Sequence, residues 1–130
     1  MYYFEKDYIM RLIHGIARVL ARMFFNREPA EDGELIVVRD AAAAETNDVF
    51  RRMIDQGQIN AAEDRLFELI DMAAWDPEQT AALIIAFYDY ANSKDDEFLT
   101  EAGFSRDEII TGLEDALKRV GMEIPEYLRI

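Results

Sequence analysis

The sequence predicts an all-α domain of five to six helices, arranged as antiparallel hairpins, and three observations carry that prediction. Apolar residues recur at helical spacing along almost the whole chain, with one strand-like run at Leu35-Ile36-Val37-Val38. Helix start signals stand ahead of the apolar stretches at Asn60-Ala-Ala-Glu63, Asp76-Pro77-Glu78-Gln79 and Ser105-Arg-Asp-Glu108. Only three prolines and six glycines occur in 130 residues, which leaves little room for long loops.

The first helix is expected over residues 7–26. Its apolar positions run from Tyr8, Ile9, Leu12, Ile13 and Ile16 to Met23 and Phe24. At ~100° per residue they cover roughly 200° of the circumference, so the helix should pack against more than one neighbour. Arg11, Arg18 and Arg22 fall in a narrow arc on the opposite side. Pro29 forces its predecessor out of the α region and ends the helix near Asn26. Residues 27–34 read as a polar connector, and 35–38 as a buried extended segment or a first helical turn. The next helix is clearest from Thr46 to Gln56 and stops at Gly57. After it Asn60 is placed to cap a third helix, with Glu63 reaching back to complete a capping box. Asp76 caps the following helix, which carries proline at its first position and Gln79 three residues after the cap. The run Ala81–Tyr88 is apolar all round, which marks a central helix enclosed by the others. Residues 95–102 can form a short helix ended by Gly103. Ser105 then caps the last one, with Phe104 and Ile109 as a hydrophobic staple and Gly121 as its stop. Pro125 forbids further helix, so Tyr127, Leu128 and Ile130 are expected to dock as a tail.

Charge divides the chain. Residues 1–27 hold five bases (Lys6, Arg11, Arg18, Arg22, Arg27) against Glu5 and Asp7. That segment is +3 within a chain of −13, which leaves −16 elsewhere. The expected organisation is one helical domain over 1–130, with a cationic, apolar N-terminal helix (1–27) and an acidic helical body (40–130). Such asymmetry marks a contact surface. An acidic body argues against nucleic acid, whose phosphates are bound by Lys and Arg replacing counterions. The absence of cysteine removes disulfides, thiolate metal sites and a cysteine nucleophile. Acids at Glu5 and Asp7 are unlike a secretory leader, and no apolar run approaches the ~18 to 20 residues needed to span a bilayer. A soluble cytoplasmic protein is the expectation.

Two resemblances follow from particular residues. Asp55-Gln-Gly57-Gln-Ile59-Asn-Ala-Ala62-Glu63 resembles the turn of a tetratricopeptide repeat. In that repeat a glycine closes the first helix, a large residue follows two positions on, and an alanine sits where the helices touch. Asp76-Pro77 falls where the repeat places its proline, and the likeness covers about thirty residues. Separately, Glu5-Lys-Asp7-Tyr8-Ile9-Met10-Arg11-x-Ile13, leading into an Ala/Leu/Arg-rich helix that ends in Phe24-Phe25, is similar to a bacterial family of short helical proteins of unknown function. This second resemblance implies a helical fold and transfers no active site.

Catalytic and metal chemistry find little support. His14 is the only histidine, which removes multi-histidine zinc sites and the Glu-x-x-His pairs of di-iron bundles. Glu63, Asp64, Glu68 and Asp71 align along one helix, but as a solvated face they need no cation. Asp95-Asp96-Glu97 lacks the spaced acids, central glycine and closing glutamate of a calcium loop. Ser93 and Ser105 are explained by capping, and no glycine-rich phosphate loop occurs. No cofactor is implied, and the chain reads as a non-enzyme more readily than as an enzyme.

The functional expectation is therefore a helical protein–protein interaction module. Arg11, Arg18 and Arg22 would face an acidic partner, or the first helix would pair with that of a second subunit in a homodimer. The competing class is a small-molecule binding protein or enzyme with an enclosed pocket around Phe87, Tyr88 and Tyr90. A third reading lays the first helix on an anionic membrane. It is disfavoured because the arginines oppose the apolar face rather than flank it. The plainest alternative is that the first helix completes the intramolecular core.

Overall fold

A computed structural model describes residues 6–25 and 40–122, with side chains described for 6–19 and 40–122. Arg22, the run 35–38 and the tail around Tyr127, Leu128 and Ile130 lie outside the described side chains. Six helices make up the regular structure of the described residues: α1 (Lys6–Phe25), α2 (Ala41–Asp55), α3 (Ile59–Asp71), α4 (Pro77–Asn92), α5 (Asp96–Ala102) and α6 (Arg106–Arg119). The expected all-helical class holds.

α4 is the axis of the molecule. Thr80 to Ile85, Phe87, Tyr88, Ala91 and Asn92 are all buried, and the helix touches α1, α2, α3 and α6. An all-round apolar sequence has this outcome because every face must leave water. Its start is as expected: the Asp76 side chain accepts from the Gln79 amide at 2.8 Å, and Pro77 opens the first turn. Gln79 does not complete a capping box, however. Its Oε1 accepts the Asp40 amide at 3.0 Å and so ties the start of α2 to the start of α4.

α2 begins at Ala41, ahead of the expected Thr46. The Asp40 carboxylate accepts from the amides of Ala42 and Ala43 at 2.9 and 3.1 Å, and the alanines that follow are the best helix formers. Gly57, at φ +81°, ends the turn after α2, and α2 and α3 pack on each other across it. Ala62 lies fully buried on α3.

The expected capping box at the start of α3 is not formed. Gln58 occupies the cap position without a side-chain bond, and Asn60 lies inside the helix. Asn60 Nδ2 instead donates to the Gly103 carbonyl at 3.2 Å, and Glu63 accepts from Tyr88. Both residues found tertiary partners in place of the local ones.

α5 and α6 follow their sequence signals. Asp95 accepts from the Phe98 amide, Gly103 closes α5 in the left-handed conformation, and Ser105 with Glu108 forms a complete capping box. Phe104 and Ile109 are both buried in the core.

Candidate interaction face

α1 shows two unlike sides. Ile9, Leu12, Ile13, Ile16 and Ala17 are buried, and the helix packs against α4 and α6 of its own chain. Along this stretch the apolar arc completes the intramolecular core, so it is not free to pair with another copy or to enter a lipid surface. The broad arc has the two neighbours its width required.

Arg11 and Arg18 stand exposed on the opposite side. Seven residues are nearly two turns, so the two guanidinium stems leave the helix within about 20° of one line and roughly 10 Å apart along the axis. His14 lies half-buried between them in sequence, and Met10 is exposed nearby at 39%. Ion pairs among the described residues use other bases: Arg65 with Glu68, Lys94 with Asp55, Arg106 with Asp96, and Arg119 with Asp71 and Asp115. No described carboxylate neutralises Arg11 or Arg18. The cationic line faces outward from an acidic protein.

The aromatic residues expected to line a pocket are used in packing. Phe87 meets Phe50 edge-on at 5.4 Å and Tyr88 at 4.9 Å, and both α4 rings are buried. Tyr90 is directed elsewhere: its hydroxyl donates to Asp55 Oδ1 at 2.6 Å, and its ring lies under Arg51 and Lys94. Lys94 Nζ reaches the same Asp55 oxygen at 2.6 Å. That bond, with the Tyr90 bond second, holds the Asp55 carboxyl below its usual range, and Asp55 in turn raises Lys94. An open depression of about 320 Å³ on α2 is lined by Glu45, Thr46, Asp48, Val49 and Arg52. Its mainly polar walls make it a surface feature rather than an enclosed ligand site.

The four acids of α3 do not act together. Glu68 pairs with Arg65, Asp71 with Arg119, and Glu63 turns inward to Tyr88. Among the described residues no group of three or more His, Asp or Glu is placed to hold a metal ion. None of the described helices is long and apolar enough to cross a membrane.

Two arrangements were not anticipated from sequence. Arg106 donates to the Asn92 carbonyl and Oδ1, to the Lys94 carbonyl and to Asp96, while buried Asn92 donates to the Lys6 carbonyl. This clamp joins the end of α4, both ends of the α5 connection and the start of α1. The second is the contact of Glu63 with Tyr88 beneath Gly112. A Cβ built on Gly112 would stand 2.2 Å from Glu63 Oε2 and 2.5 Å from the Tyr88 hydroxyl. The signal for it was Gly112 within a helical pattern, which costs about 1 kcal/mol against alanine and so calls for a packing reason.

No curated protein and no solved structure matches this chain. A family model does match, over residues 3–121, a span that includes the Glu5–Ile13 stretch and all six helices. The chain therefore belongs to the family of unknown function DUF6483.

Proposed function

We propose that this protein is a non-enzymatic helical interaction module that docks an acidic protein surface through the outward face of α1. Arg11 and Arg18, continued by Arg22, would set the orientation of the partner. The observation that carries this reading is the exposed pair Arg11 and Arg18, which no described carboxylate reaches, on a helix whose other side is buried in the core. Arginine forks match carboxylates in a bidentate geometry, which gives register as well as attraction. The net charge of −13 repels an anionic partner at long range, so recognition would depend on contact and on salt. The α2–α3 hairpin is tetratricopeptide-like in this reading, with Gly57 in its turn and Ile59 and Ala62 buried between helices. The packing of Phe87 against Phe50 and Tyr88 favours an interaction role over an enclosed aromatic pocket.

The test places a photo-crosslinking residue at His14 in the full chain, in its own cells, with and without Arg11→Glu and Arg18→Glu. An adduct with another protein, or with a second copy, that disappears on charge reversal supports the reading. No adduct, or one indifferent to both substitutions, overturns it. Light scattering on the purified chain separates self-association from a different partner.

A further inference from the structure

We propose that Glu63 is the proton acceptor of a pH-responsive joint between α3 and α6, tightened when its carboxyl is protonated and loosened when it is ionised. Glu63 is half-buried where α3 meets α4 and α6, with Oε2 2.5 Å from the hydroxyl of the fully buried Tyr88. Gly112 brings the α6 backbone against this pair so closely that a single added carbon would overlap both side chains. The spacing of α3 and α6 is therefore coupled to the state of one carboxyl.

The groups facing Glu63 are one phenol and three acids. Tyr88 comes from α4, Glu108 and Asp115 from α6, and Asp64 from α3 itself. Burial is the first cause that raises the Glu63 carboxyl above its ordinary value; Tyr88 opposes the rise, and the three carboxylates add to it. Tyr88 stays a neutral donor, because burial and the adjacent Glu63 raise its phenol further from ionisation. A protonated Glu63 keeps a carbonyl oxygen for Tyr88 and loses its repulsion against Glu108, Asp64 and Asp115. An acid with a raised folded-state pKa binds its proton more tightly folded than unfolded. Stability at this joint thus increases as pH falls through the folded value, and the gain is complete below the unfolded value of 4.5.

Hydrogen exchange of the amides from Ile109 to Leu117, corrected for intrinsic rates, tests this in the full chain between pH 5 and 8. Protection is expected to fall as pH rises across that range, and Glu63→Gln should remove most of this dependence. Tyr88→Phe deletes the donor that favours the ionised form, so the midpoint should move to higher pH. Identical pH dependence in the wild-type and Glu63→Gln chains, or an unmoved midpoint in Tyr88→Phe, overturns the proposal. A carbon-13 titration of Glu63 in the unaltered chain decides the matter if a variant does not fold. A midpoint above the ordinary glutamate value of 4.5 upholds it, and one at or below that value does not.

Discussion

Gly112 of α6 lies so close to Tyr88 of α4 that a Cβ at position 112 would stand 2.5 Å from the Tyr88 hydroxyl and 2.9 Å from its ring. The ring cannot retreat, because it is fully buried and abuts Phe87. Gly112→Ala would gain helix propensity, about 1 kcal/mol on an exposed helix. Overpacking should outweigh that gain, with a net loss of about 1–3 kcal/mol in urea unfolding. Combining it with Glu63→Ala removes the nearer of the two obstacles, so the double variant should lose less than the two single losses added together. Strict additivity would show that the three residues do not share one space.

A second prediction concerns the Arg106 clamp. The guanidinium makes bonds of 2.7 and 2.9 Å to Asn92 and of 2.8 Å to the Lys94 carbonyl, and its side chain is only 11% exposed. An ammonium offers no planar fork, so Arg106→Lys cannot reach these acceptors together. Leaving buried acceptors without donors costs about 1–3 kcal/mol, measurable by chemical denaturation. Asn92→Ala should cost a similar amount and also loosen the start of α1, whose Lys6 carbonyl receives the Asn92 amide. Faster exchange in the first turns of α1 would report that effect, and an unchanged rate would count against it.

The legible and illegible parts of this fold divide along the range of the interactions. Asp76 and Ser105 cap the helices their spacing announced, because a cap is decided within four residues. The all-round apolar run of α4 announced a central position for the same local reason. Asn60 and Glu63 have capping-box spacing, yet the box does not form. Gly103 and Tyr88, respectively 43 and 25 residues away, offer them better partners that no local pattern displays. The start of α2 was hidden differently: four alanines in a row carry propensity but no periodicity. For the candidate face, the alignment of Arg11 with Arg18 was readable from spacing alone. That no described acid reaches them required the folded geometry.

The Asp55 carboxylate gives a prediction in pH. Lys94 first, and Tyr90 second, hold it below its ordinary 3.8. A depressed acid contributes stability above the unfolded value that is lost as pH falls through the folded one, so this contribution should disappear only below pH 3.8. Both groups are near the surface, and salt should weaken the effect. In a Lys94→Met variant the Asp55 titration followed by NMR should move upward. A midpoint that stays in place would mean the contact is not populated in solution.

The two sides of α1 should answer differently to substitution. Ile13 is 1% exposed within the core, and truncating a buried isoleucine costs about 2–5 kcal/mol. Ile13→Ala should therefore lower the unfolding midpoint strongly. Arg11→Glu and Arg18→Glu change exposed positions with no described ion partner, and surface substitutions of that kind stay within about 0.5 kcal/mol. Charge reversal should thus leave the fold intact while altering any contact made through the outward face, which is what makes the pair a usable probe of binding. If Ile13→Ala left stability unchanged, α1 would not be docked in the free chain, and its apolar arc would again be available to a second copy. If the arginine reversals destabilised the protein by several kcal/mol, those side chains would be serving the fold, and the outward face would lose its claim as a docking surface.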